Sequence, residues 1–189
     1  MSQTDINTAP TLGEEVRKLR KAKGKSLAYV ASSINRSVSF ISQVERGQTD
    51  PSIPDLKAIA KTLGVPLGWF FSSDTMPNSE KGKIVRADTR RKIGTVTDGL
   101  VEELLSPSIG GSFEMILSRI EPGAAQDPVQ RVTEEEVYVI SGKLDLWINE
   151  QAFQVSAGDS FRIENAPFRW KNNSEEPVIL VWVISPPMY

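Results

Sequence analysis

The sequence predicts two domains, a small all-α domain followed by an all-β one, and three observations carry that prediction. Over residues 11 to 71 apolar residues recur at helical spacing, and from about Lys83 the pattern switches to short β-rich runs. Between them lies Ser72-Ser-Asp-Thr-Met-Pro-Asn-Ser-Glu-Lys-Gly82, polar and turn-rich. A chain of 189 residues suits two small domains. We therefore expect a flexible tail over residues 1–10, a helical domain over 11–72, a linker over 73–82 and a β domain over 83–189.

Thr11-Leu-Gly-Glu14 is a capping-box pattern that starts a helix with Leu12, Val16 and Leu19 on one face, ended by Gly24. Ser26 to Gly47 reads as a helix-turn-helix. Val30, Ala31, Ile34, Ile41 and Val44 keep helical spacing, interrupted once at Asn35-Arg36-Ser37. The Asn suits a left-handed turn, the Ser caps the next helix, and Gly47 lets the chain leave it. Pro54 to Leu63 forms another amphipathic helix stopped by Gly64, and Val65 to Phe71 a short fifth. Such a second helix, with Ser39, Ser42 and Gln43 on its exposed face, can enter a major groove and hydrogen-bond base edges; the alternative is an ordinary helical hairpin in a bundle.

These residues closely resemble the phage-repressor/Cro type of helix-turn-helix, the XRE family. The matching stations are Ala31, Asn35, Ser37, Ile41, Glu45-Arg46-Gly47, Pro51-Ser52, Leu56 and Leu63-Gly64-Val65. The resemblance implies a recognition helix over Ser37 to Arg46, with Val38, Ser39, Ser42 and Gln43 facing bases of double-stranded operator DNA. It also places Arg20 and Glu45 as a buried ion pair. Arg36, Gln48 and Thr49 flank the helix and are expected on phosphates. Phe40 reads equally as a thymine contact or as core. The family's usual Gln at the start of the second helix is replaced by Leu27.

Charge is consistent with this. The chain carries a formal −2, yet residues 1–72 hold +4 and the remainder −6. The basic cluster Arg17 to Lys25 supplies the local positive face that phosphates need. With no cysteine, disulfides and thiolate metal sites are excluded. No apolar run reaches membrane-spanning length and no secretory signal opens the chain, so a cytoplasmic protein is expected.

The β domain is read from Val101–Leu105, Phe113–Ile120, Val137–Ile140, Leu144–Ile148, Phe153–Val155, Phe161–Ile163 and Val178–Ile184. Turn residues separate them, and many short strands point to a sandwich or barrel. The stretches Pro122 to Gly142 and Gly158 to Asn172 resemble the two motifs of the cupin family, through Gly123, Glu135, Gly142, Gly158, Asp159, Pro167 and Asn172. That resemblance implies a small double-stranded β-helix barrel. Many cupins hold a metal through three His and one Glu. The corresponding positions here are Val129, Arg131, Glu135 and Phe168.

The chain contains no histidine, and one carboxylate cannot hold a catalytic metal. Consecutive Glu134, Glu135 and Glu136 point to opposite faces of a strand and do not converge, with Asp127 or without it. We expect no metal, no cofactor and no catalytic residues. Arg131 and Glu135 are expected to share the inward face with Phe168 and Trp170, forming a pocket for a small polar effector, such as a carboxylate held by Arg131. Trp147 and Met115 are further candidates. The alternative is that Arg131 pairs with Glu135 and the aromatics fill the cavity.

A helix-turn-helix followed by a cupin resembles a family of bacterial one-component transcriptional regulators. The resemblance implies a homodimer, often joined through the β domain, that acts as a metabolite-responsive repressor. Two other readings stay open: a constitutive DNA binder whose cupin is a dimerisation scaffold, and a metal-independent isomerase or lyase using Glu135 as base.

Overall fold

The computed structural model describes residues 11–71, 77, 79–80, 82–93, 97–107 and 111–187. The tail expected over 1–10 and most of the linker expected over 73–82 lie outside them. The chain divides into two compact units, one ending at Arg90 and the next starting at Arg91.

The first unit contains α1 (Leu12–Ala22), α2 (Leu27–Ser33), α3 (Val38–Glu45) and α4 (Ile53–Leu63). Each starts on a hydroxyl cap, Thr11, Ser26, Ser37 or Ser52, which satisfies a backbone N–H the helix cannot. At Thr11 the capping box is complete: the Thr11 N–H donates to Glu14 Oε2 at 2.8 Å and the Glu14 N–H to Thr11 Oγ1 at 3.3 Å. Asn35 takes φ 55°, the left-handed turn that swings α3 away from α2. Val16, Leu19, Val30, Ile41, Leu56, Ile59 and Trp69 close the core.

The expected fifth helix is corrected. Leu67–Phe71 is a 3-10 segment, not an α-helix. An i to i+3 turn forms there, with the Trp69 backbone N–H donating to the Pro66 carbonyl at 2.9 Å. It seats the buried Trp69.

Among its described residues the second unit has ten strands: β1 (Arg91–Ile93), β2 (Leu100–Leu104), β3 (Glu114–Ile120), β4 (Ala125–Val129), β5 (Glu134–Ser141), β6 (Lys143–Ile148), β7 (Gln151–Ser156), β8 (Ser160–Glu164), β9 (Phe168–Lys171) and β10 (Val178–Ser185). They form a six-stranded sheet, β1-β2-β3-β10-β5-β8, and a four-stranded one, β4-β9-β6-β7, paired antiparallel throughout. The sheets meet face to face, with Phe168 and Trp182 centroids 6.1 Å apart across the interface. No ladder among the described residues joins the two sheets, so the architecture is two facing sheets where a closed barrel was expected.

Alternation decides what faces inward. On β5 Glu135, Val137 and Val139 are buried while Glu134, Glu136 and Tyr138 are exposed, so the consecutive acids diverge as expected. On β10 the apolar residues of one face are buried and those of the other half-buried. Asn172, fully buried, fastens the β9–β10 turn. Its Nδ2 donates to the Ile120 and Glu176 carbonyls at 3.0 and 2.9 Å, and its Oδ1 accepts from the Ser174 N–H and hydroxyl.

Candidate nucleic-acid interface and candidate ligand cavity

The helix α3 is fixed at both ends and open along one side. At its start the Phe40 N–H donates to the Ser37 hydroxyl at 3.0 Å, and Gly47, φ 65°, leads the chain away after Arg46. Ile41 and Val44 anchor its buried stripe. Ser37, Val38, Ser39 and Gln43 are exposed and Ser42 half-buried, so the expected reading face is accessible. Phe40 is half-buried and carries the Arg36 guanidinium, 5.5 Å from its ring centroid. Beyond the helix, Gln48 is exposed and Thr49 half-buried; Arg46 Nε donates to Gln48 Oε1 at 3.1 Å.

Two ion pairs hold this motif. Arg20 of α1 reaches Glu45, the last residue of α3, with Nε–Oε1 2.5 Å and Nη2–Oε2 2.9 Å, and its Nη1 donates to the Lys25 carbonyl at 2.8 Å. Both side chains are buried, as the resemblance implied. Arg36 makes a second two-pronged contact, to Asp55 of α4, at 2.9 and 3.2 Å. Arg36, followed by the Ser52 hydroxyl, holds the Asp55 carboxyl below the usual carboxylate range. Two of the five Arg36 N–H donors are thus engaged within the protein, which leaves it less to offer a phosphate than the sequence indicated. Gly13 brings α1 onto the end of α3: an added Cβ would lie 2.1 Å from the Val44 carbonyl oxygen.

The β unit encloses a cavity between its sheets, lined by Leu100, Glu102, Ser118, Gln126, Arg131, Phe168, Trp170 and Trp182 among others. It opens to solvent and is narrow, admitting little more than one water. Phe168 and Trp170 point inward together, both almost fully buried. Arg131 Nη1 lies 3.4 Å from both Glu135 oxygens, and its Cζ is 5.4 Å from the Phe168 ring centroid. Glu135 is wholly buried and accepts a tighter bond, 2.8 Å, from the Thr133 hydroxyl. The structure therefore brings Arg131, Glu135, Phe168 and Trp170 together.

Two expected lining residues are corrected. Met115 lies on the face of β3 opposite to Ser118 and Ile120, out of the cavity by strand alternation. Trp147 likewise faces away from Leu144 and Leu146, with the Arg169 guanidinium stacked 3.8 Å from its ring. Sequence reasoning also missed Glu102, Ser118, Gln126 and Trp182. For Glu102 a signal existed, since it shares the alternation phase of Leu100 and Leu104. Its carboxylate accepts from the Ser118 hydroxyl at 3.4 Å, between residues directly paired across β2 and β3.

The cupin-type metal does not fit these residues. Of the four positions, Val129, Arg131 and Phe168 offer no metal donor and only Glu135 does, with a guanidinium directly against it. Among the described residues no group of three His, Cys, Asp or Glu could hold an ion. No described helix is long and apolar enough to cross a membrane.

Comparison with known proteins agrees with both units. A helix-turn-helix family model matches residues 16–70 and a cupin domain model residues 116–184. The HTH-type transcriptional regulator PuuR of Escherichia coli is 26% identical over 174 residues, covering 90% of this chain and 91% of that protein. The regulator SutR of the same organism is 26% identical over 175 residues, covering 91% and 93%. A solved HTH_3 family transcriptional regulator from Vibrio cholerae is 20% identical, covers 97% and 99% of the two chains and superposes with a TM-score of 0.47.

Proposed function

Because this chain belongs to the helix-turn-helix transcriptional regulators that carry a C-terminal cupin domain, we propose that it represses by binding operator DNA through α3 and responds to a small polar effector held between the cupin sheets. One observation carries the sensing half: the Arg131–Glu135 contact. At 3.4 Å it is longer than a tight charge-assisted hydrogen bond, about 2.7–2.9 Å, so the guanidinium is held loosely where it lines the cavity. An effector carboxylate competes with Glu135 for it, while Phe168, Trp170 and Trp182 supply an apolar wall. Ser39, Ser42 and Gln43 read base edges, and Gln48 and Thr49 lie beside the phosphates. A homodimer presents two such helices to half-sites one helical turn apart.

The test is a thermal-shift screen of small carboxylates, followed by operator titration with and without each stabilising compound. A compound that stabilises the wild-type cupin but not Arg131→Ala, and alters operator affinity, supports the proposal. If no compound changes operator affinity, effector sensing is wrong. A second reading has its own support: the cavity is narrow and Arg131 already touches Glu135, which favours a dimerisation scaffold for a constitutive DNA binder. On that reading Arg131→Ala leaves regulation unchanged.

A further inference from the structure

We propose that the effector is a small amino acid, its carboxylate meeting Arg131 and its ammonium meeting Glu102 from the facing sheet. The inference rests on the effector-sensing role proposed above and adds the chemical class of the ligand. The two charges come from different sheets. Glu102 lies on β2 of the six-stranded sheet and Arg131 follows β4 of the four-stranded one, yet both line the same cavity. One molecule between the sheets thus meets an anionic and a cationic group of the protein.

The polar side chains of this cavity occupy positions that packing alone would fill with apolar ones. Glu102 alternates in phase with Leu100 and Leu104, and Ser118 with Ile116 and Ile120. Gln126 stands opposite Trp170 in the β4–β9 ladder. Ionic groups between sheets add little to stability, and apolar residues of similar volume serve a core as well or better. Nor are the charges gripped tightly by these neighbours. The Ser118 hydroxyl reaches Glu102 at 3.4 Å, where a short bond to a carboxylate spans about 2.5–2.7 Å. Arg131 lies at the same 3.4 Å from Glu135, whose closer partner is Thr133. A carboxylate accepts at roughly four lone-pair sites and a guanidinium donates about five N–H bonds, so each takes a ligand beside its protein partners.

Charge selects among ligand classes. A plain carboxylate at Arg131 brings a further negative group near Glu102 and Glu135, and like charges repel more strongly where water is excluded. A plain amine at Glu102 meets the Arg131 guanidinium with the opposite sign of the same penalty. An amino acid satisfies both poles and adds no net charge. Trp170 and Trp182 line the same cavity, and an indole face attracts an ammonium. Size is the second filter. The cavity is narrow, so the ligand enters as the guanidinium turns from Glu135 toward it, and short side chains are favoured.

The test titrates the full chain by calorimetry with glycine, L-alanine, β-alanine and L-serine. Each is compared with its carboxylate lacking the amine (acetate, propionate, 3-hydroxypropionate) and its amine lacking the carboxylate (methylamine, ethylamine, ethanolamine). At least one amino acid is expected to bind, and its two partial analogues to bind about tenfold or more weakly, the loss of one charge-assisted hydrogen bond. Glu102→Gln is expected to bring that amino acid down to the affinity of its carboxylate analogue, and Arg131→Gln to that of its amine analogue. Glu103→Gln, on the opposite face of β2, is expected to change neither preference. The wild-type comparison decides without any variant: a carboxylate or amine that binds as tightly as its amino acid overturns the proposal and leaves effector sensing standing. An unchanged preference in Glu102→Gln, or an equal loss from Glu103→Gln, also overturns it. Silence from every compound overturns it as well, and the carboxylate screen above then decides effector sensing separately.

Discussion

Arg20 and Glu45 meet through both carboxylate oxygens, 25 residues apart in sequence and buried between α1 and α3. The contact ties the last residue of α3 to a side chain of α1. Breaking one partner leaves the other charged and without its counter-ion, at a cost of about 3–5 kcal/mol. Glu45→Ala is expected to destabilise the helical unit by that amount in chemical denaturation followed by circular dichroism. Its destabilisation should exceed what Arg20→Met adds in the double variant; simple additivity would mean the two act separately.

Gly13 packs against the carbonyl of Val44, and Gly13→Ala forces an atom to within 2.1 Å of that oxygen. The backbone of α1 or the end of α3 must move, for about 1–3 kcal/mol in overpacking. Operator affinity is expected to fall by more than affinity for mixed-sequence DNA. Equal losses on both duplexes would show that α3 keeps its place.

Gln43→Ala removes an exposed amide from the reading face without touching the core. A good base contact is worth about 1–3 kcal/mol of discrimination, so operator binding should weaken by that much while binding to mixed-sequence DNA stays. Undiminished discrimination would move the reading role to another residue of α3.

Asp55 supplies a pH dependence with a defined sign. Its carboxyl is held below the usual range by Arg36 and then Ser52, so its folded pKa lies under the unfolded one. The contribution is full above the ordinary carboxylate value of about 3.9 and is lost as pH falls through the depressed value. The stability gap between wild type and Asp55→Asn should be constant near neutrality and close on acidification below about pH 4. A gap that persists to pH 2 would exclude the ion pair as its source.

Phe168 is buried beneath Arg131 and beside Trp182. Phe168→Ala is expected to cost the β unit about 3–5 kcal/mol, seen as a lower thermal midpoint with the helical unit unaffected. A cost under about 1 kcal/mol would mean the cavity collapses around the smaller side chain.

Where local chemistry decides structure, the sequence was readable. The caps at Thr11 and Ser37, the left-handed Asn35 and the exit at Gly47 all depend on one residue and its immediate neighbours. The strand β4, Ala125-Gln-Asp-Pro-Val129, was not announced because Pro128 and Asp127 disfavour strands; it survives at a sheet edge, where a missing N–H goes unnoticed. The lining of the cavity was legible only in part. Phe168 and Trp170 alternate with polar neighbours, which fixes their direction. On β3, Met115 and Leu117 are as apolar as Ile116 and Ile120, so composition alone cannot choose the inward face, and the register with β10 makes the choice.

Arg131 stands beside Glu135 at a place where a related fold recruits an ion. A guanidinium is bonded to the chain, and no chelator strips it away. The positive charge facing this cavity is therefore inherited with the gene rather than drawn from the medium, and mineral starvation leaves it intact.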